Sequence, residues 1–123
     1  MARDSNTQAS GDQAEQAAAI YLQHHGLQKV EENFRCKLGE VDLIMQDNSC
    51  IVFVEVRFRK SDRYGSAAST VTTSKQNKLR KTALFYLKAR KLQHAAVRFD
   101  VVGMKPDEKN DCDYQYRWIK NAF

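Results

Sequence analysis

The sequence predicts an α/β fold: one mixed β-sheet flanked by helices, in the order α-β-β-β-α-β. Three observations predict it. Gly39–Asp47 and Cys50–Phe58 are strand-like stretches joined by the polar turn signal Asp47-Asn48-Ser49-Cys50, which reads as a hairpin. Within the second arm, Ile51-Val52-Phe53-Val54-Glu55-Val56 is almost continuously apolar, the pattern of a central strand covered on both faces. Segments with apolar residues at helical spacing lie on either side of the hairpin.

The elements follow in order. Residues 1–9 are polar and read as a flexible tail, leaving 10–123 as a single domain. Ser10 with Gln13 reads as a capping box that starts a helix over 11–25. Ala14, Ala17, Ala18, Tyr21 and Leu22 form its buried stripe, Glu15 sits at the stripe's edge, and Gly26 ends it. A short strand over 29–34 precedes the hairpin. Residues 59–72, with Gly65 and many small polar side chains, read as a long loop of the kind that carries function. A second helix over 73–91 turns Leu79, Thr82, Ala83 and Tyr86 inward, with Lys75 on the same face one turn earlier. Val97, Phe99 and Val101 alternate with Arg98, Asp100 and Val102 in a half-buried strand over 96–102. After a charged loop at 106–113, residues 114–123 either add an edge strand or pack Trp118 and Phe123 on the core.

The chain's 123 residues and formal charge of +5 fit a single basic domain with an anionic partner, nucleic acid first among them. Cys36, Cys50 and Cys112 are odd in number and none form a CxxC pair, which argues against a disulfide framework or a zinc cluster and for a reducing cytoplasm. No apolar run approaches a membrane span, and the N-terminus has no signal-peptide core.

A hairpin closing symmetrically on Asn48 and Ser49 sets Asp42 opposite Glu55 and Glu40 opposite Arg57, all on one face. Val41, Leu43, Val54 and Val56 then form plain core on the other. Facing carboxylates repel and destabilise a sheet unless a cation joins them. Paired hard oxygen donors suit Mg²⁺ or Mn²⁺. Such an ion activates water and offsets charge on a phosphate, and Arg57 on the same face can hold either. The pattern is that of metal-assisted phosphodiester hydrolysis. A structural reading stays open beside it: Glu40 with Arg57 as a cross-strand ion pair, Asp42 with Arg35, Glu55 with Arg98. A three-residue turn would also send Glu55 to the opposite face.

Between Arg57 and Lys91 a run of basic residues is opposed only by Asp62. Arg59, Lys60, Arg63, Lys75, Lys78 and Lys81 are the candidates for sequence-independent phosphate contact, against the alternative of a solvated helix face. His24 and His25 suit a helix C-terminus, and neither they nor His94 have ligand or nucleophile spacing.

Several motifs together resemble one family. They are Gly11 with Ala14-Glu15, Asn33-Phe34-Arg35, Gly39-Glu40-Val41-Asp42-Leu43-Ile44 and Val52-Phe53-Val54-Glu55-Val56. Arg59, Gly65, Lys75-Gln76, Ala83, Arg98-Phe99-Asp100-Val101-Val102 and the final Asn121-Ala122-Phe123 extend the set. From about residue 11 onward the chain resembles the YraN-type bacterial proteins, similar in turn to archaeal Holliday-junction resolvases. The resemblance implies a restriction-endonuclease-like three-layer core of the PD-(D/E)xK type acting on DNA, branched or structured DNA included, and a homodimer. It implies Asp42 and Glu55 as metal carboxylates, the Val56 carbonyl as a third ligand, and Glu15 as an acidic residue brought from the first helix. Arg57 stands where that pattern has lysine. Arginine grips phosphate but does not act as a base, so Lys75 is the candidate for the missing ammonium. The alternative is a nucleic-acid-binding module on the same scaffold that does not cut.

Overall fold

The computed structural model describes residues 2–60, 67–109 and 113–123, with side chains described from residue 11 onward. Helix α1 (Ala2–His24) is followed by strands β1 (Gln28–Cys36), β2 (Gly39–Asp47) and β3 (Cys50–Phe58). A 3₁₀ turn (Ala68–Thr70) leads into α2 (Thr73–Ala89), then β4 (Ala96–Pro106) and β5 (Tyr114–Ile119). The strands form one sheet in the order β1-β2-β3-β4-β5. Only β3 and β4 pair in parallel, joined by the α2 crossover, and the other neighbours are antiparallel. The mixed α/β expectation holds, with β3 at the centre as its apolar run required.

Two cores sandwich the sheet. On one face Ala14, Ala18 and Leu22 of α1 pack on Leu43, Met45, Val52, Val54 and Val102. On the other, Leu79, Ala83 and Tyr86 of α2 pack on Ile44, Ile51, Phe53 and Val101. The layers are helix, sheet, helix. Small alanines on α1 let it lie close to the strands. The chain leaves α1 through a Schellman turn: Leu27 N–H donates to the Leu22 carbonyl at 3.1 Å and Gly26 N–H to that of Gln23 at 3.1 Å, with Gly26 at φ +97°.

Three expectations shift. The first helix runs on through Gly11 instead of starting there; one interior glycine costs about 1 kcal/mol, which a long helix absorbs. Because the helix begins at Ala2, residues 2–9 are helical, and Ser10 lies inside the helix and does not cap its start. Val41 packs in the α2 layer while Leu43 packs in the α1 layer. Residues two apart in a regular strand share a face, so the chain rotates at Asp42. At the C-terminus both alternatives occur, since β5 is an edge strand, Trp118 packs toward α1, and Phe123 toward α2. Gly65 and Cys112 lie outside the described residues, and Cys36 and Cys50 are unbonded thiols.

Asp100 ties this end together. It is fully buried and takes Arg98 Nε at 3.0 Å, Trp118 Nε1 at 2.9 Å and the Asn121 N–H at 2.9 Å. The Ala122 N–H donates to the Phe99 carbonyl at 2.7 Å, and Phe123 stacks on Phe99 with centroids 5.3 Å apart. The terminal Asn121-Ala122-Phe123 therefore anchors the edge strand.

Candidate functional site

The β2–β3 ladder has the register that the symmetric turn predicts, from Asp47 opposite Cys50 to Leu43 opposite Val54. It ends there. The next opposed residues are Asp42 and Glu55, and the strands part between them. Asp42 Oδ2 reaches across and accepts the Val56 N–H at 2.9 Å. Glu55, the residue before Val56, lies near enough for its charge to act on the Asp42 carboxyl. Two carboxyls this close do not both ionise comfortably without a cation or a shared proton. Burial first, then the charge of Glu55, pushes the Asp42 carboxyl up to about 8, against the opposing pull of the Val56 N–H.

Glu55 is buried, and its Oε2 accepts from Arg57 at 2.9 Å and from Lys75 Nζ at 3.1 Å. Lys75 comes from the first turn of α2. That turn is set by Thr72, whose Oγ1 accepts the Lys75 N–H at 3.2 Å, and by Gln76, whose Nε2 donates to the Val71 carbonyl at 3.0 Å. Glu15 arrives from α1, where burial first, then the charge of Asp12, holds its carboxyl above the usual carboxylate range, against an opposing pull from Asp42 and Asn33. The site thus joins α1, β1, β2, β3 and α2 where the sheet forks open.

Two polar atoms mark it further. Among the described residues, Glu15 Oε1 and Arg57 Nε are the buried side-chain polar atoms without a partner. One is an acceptor and the other a charged donor, and unpaired buried groups of both kinds are costly.

The structure corrects the sequence reading at Glu40, Arg35 and Arg98. Glu40 bonds Arg35 across the exposed β1–β2 pair at 3.1 Å and does not face Arg57. Arg35 therefore does not hold Asp42. Arg98 bonds Asp47 at 2.8 Å and Asp100 at 3.0 Å, not Glu55. The rotation at Asp42 is the reason: the strand is not a straight ladder through Glu40, so the four-charge patch does not form.

The basic residues divide. Lys60, Lys75, Lys78 and Lys81 are exposed, the last three at three-residue spacing along α2. Arg59 is half-buried and its N–H donates to the Met104 carbonyl at 2.8 Å. Arg80, 5.4 Å from the Phe123 ring, and Arg90, paired with Glu31 at 2.9 Å, serve packing. Arg63 lies outside the described residues. Among the described residues no set of three or more His, Cys, Asp or Glu side chains has metal-holding geometry. A cation here would draw on two neighbouring carboxylates, backbone oxygen and water, which matches the donor habit of Mg²⁺. Asn33 is the one residue at the site with no role in the sequence reading; the signal for it was an asparagine inside a strand pattern.

Fold and site together define a helix–sheet–helix α/β protein with a buried acidic fork, flanked by two cations, at the open end of its sheet. The chain belongs to the uncharacterised protein family UPF0102, which it matches over residues 14–104. It is 47% identical over 120 residues to the UPF0102 protein of Photobacterium profundum, covering 95% of this chain and 91% of that one. It is 48% identical over 117 residues to that of Coxiella burnetii, covering 94% and 92%. Among the described residues no helix is long and apolar enough to cross a membrane.

Proposed function

We propose that this protein is a divalent-metal-dependent, endonuclease-like hydrolase of DNA phosphodiesters, branched or structured DNA included. One observation carries the reading: Asp42 is anchored on the Val56 N–H beside Glu55, whose buried carboxylate a lysine and an arginine flank. Asp42, Glu55 and the Val56 carbonyl would hold Mg²⁺ or Mn²⁺. The bound ion supplies Lewis-acid charge to a phosphate and acidifies water. The Lys75 ammonium, 3.1 Å from Glu55, does the work of the lysine that the strand lacks, orienting water or a phosphate oxygen. Arg57 offers its unpartnered Nε donor to a phosphate oxygen. Lys60, Lys78 and Lys81, with Arg59 and Arg63, hold the DNA backbone through contacts blind to sequence.

A second reading is favoured by one feature. Arg57 and Lys75 both occupy Oε2 of Glu55, which leaves that oxygen little use to a cation and suits a DNA-binding module that does not cut. One assay separates the two: incubate duplex, single-stranded and four-way-junction DNA with Mg²⁺ or Mn²⁺, using wild type, Asp42→Ala, Glu55→Ala, Lys75→Ala and Arg57→Lys. Hydrolysis abolished by Asp42→Ala and Glu55→Ala supports the enzyme. Cleavage surviving in both would sink the site assignment. Salt-sensitive binding with no cleavage, even in Arg57→Lys, establishes the binding module.

A further inference from the structure

We infer that the cleft between α1 and the ends of β3 and β5 is a subsite for an unpaired nucleobase of a DNA strand held at the fork; this deepens the reading above and rests on its DNA partner. The cleft has a volume of about 610 Å³, within the ~300–1,000 Å³ of sites that take small organic groups. Phe58 and Tyr114 line it from the sheet, Gln13, Gln16 and Ile20 from α1, and the exposed Asp113 completes the wall. Phe58 is 43% exposed and Ile20 54%. Single exposed apolar residues are ordinary on a protein surface, but two that converge on one aromatic-lined cleft mark a place for a ligand.

The rings are held rigidly. Tyr114 and Tyr116 stand on the α1 side of edge strand β5, alternating with Gln115. Tyr116 stacks on Tyr21 of α1 at 4.3 Å, and Tyr114 meets Tyr116 edge-on at 6.2 Å. Phe58 stands at 90° to Tyr114, 5.8 Å away. Perpendicular rings do not cover each other's faces, and the exposure of Phe58 shows that its ring surface is open. Gln13 and Gln16, one turn apart on α1, add amide donors and acceptors of the kind that read a base edge. The Asp113 carboxylate accepts from an exocyclic amine and repels phosphate, so a base enters while its backbone stays outside. Position selects the occupant. Gln16 follows Glu15, and Phe58 follows Arg57, so the cleft and the fork share two elements. Phe58 lies three residues beyond Glu55, ~10 Å along the strand. A strand with a phosphate at the fork brings a nearby base here only if that base is unpaired, because a paired base stays inside the duplex stack. Stacking accepts every base, so the subsite selects unpaired DNA and not a sequence.

The test is fluorescence anisotropy of the full chain, without divalent metal so that no strand is cut. The probes are a labelled single-stranded DNA, an abasic strand of the same length, which keeps the phosphates and lacks the bases, and the duplex. The proteins are wild type, Phe58→Ala, Phe58→Leu, Phe58→Trp and Gln16→Ala, each with a thermal melt. Wild type should prefer the single strand to the abasic one. Phe58→Ala should weaken single-strand binding roughly 5- to 100-fold, the worth of one stacked base, and leave abasic and duplex binding unchanged. Phe58→Leu should lose as much and Phe58→Trp should keep wild-type affinity, since the ring and not its apolarity holds the base. Gln16→Ala, at an exposed helix position that folding tolerates, should lose affinity by a smaller factor. A single strand carrying 5-iodouracil should photocross-link to Phe58 or Tyr114, located by mass spectrometry of the peptides. Equal affinity for the single and abasic strands, wild-type affinity in both Phe58→Leu and Gln16→Ala, or cross-links only elsewhere would overturn the inference; duplex binding that persists then leaves the fork's reading standing. The expected results without any metal-dependent cleavage would keep the subsite and remove the hydrolase. A wild type that binds none of the three DNAs overturns both.

Discussion

At Asp42, opposed forces act on one carboxyl. Burial and Glu55 favour its protonated form, and the Val56 N–H favours its charged form. Its value in the folded chain, about 8, lies above the ordinary 3.8, so folding strengthens proton binding. The sign follows: the stability this proton contributes is complete below the ordinary value and is lost as pH rises through the folded one. Metal-free protein should therefore melt lower at about pH 9 than at about pH 5 on this group's account, and Asp42→Asn should flatten that slope. Added Mn²⁺ should restore the melting temperature of wild type at the alkaline end and not that of Asp42→Asn. Asp100 is a buried side chain that accepts from Arg98, Trp118 and the Asn121 N–H. Asp100→Ala would leave Trp118 and the Asn121 N–H without their acceptor and Arg98 with Asp47 alone, and should destabilise by roughly 3–5 kcal/mol in denaturant titrations. It should do so without altering Mn²⁺ affinity once the protein is folded.

Among the elements, α2 and the segment leading into it decide what reaches the fork. That segment crosses β4 at Gly103, where an added Cβ would stand 2.6 Å from the Ala67 Cβ. Neither atom sits on a flexible side chain, so Gly103→Ala must push the crossover away from the sheet. The expected cost is ~1–3 kcal/mol in a thermal or urea melt, the range of an overpacked core. Because the displaced chain leads into the first turn of α2, the Lys75–Glu55 contact should loosen with it. The helices differ in how they reach the site. α1 brings Glu15 on the margin of an alanine-rich face, visible from residue spacing alone. α2 brings Lys75 through the docking angle of the crossover, which spacing does not encode.

For the whole molecule the governing quantity is charge distribution. The formal charge is +5, and the exposed cations Lys75, Lys78 and Lys81 lie along one side of α2 beside an acidic fork. Phosphate contacts release counterions, so DNA affinity should fall steeply with salt. Lys78→Ala and Lys81→Ala should each lower the slope of log affinity against log salt by roughly one unit, for all sequences alike. An unchanged slope in the double variant, read by fluorescence anisotropy across a salt series, would remove these lysines from the interface.

The sequence by itself determined whatever repeats with a short period. Strand alternation, the apolar run of β3 and a symmetric turn at Asn48 were enough to bring Asp42 opposite Glu55, because register propagates from a tight turn one pair at a time. It also placed Lys75 on the inward face of α2 and Glu15 at the edge of α1. The tertiary structure alone decided where that regularity stops and what meets across it. The ladder ends at Leu43, the chain rotates at Asp42, Glu40 turns to Arg35, and Glu55 receives Arg57 and Lys75 on one oxygen. Those outcomes depend on the left-handed break at Asn33 and on the packing of two helices from opposite faces. They are contacts between residues far apart in the chain, which local periodicity does not specify.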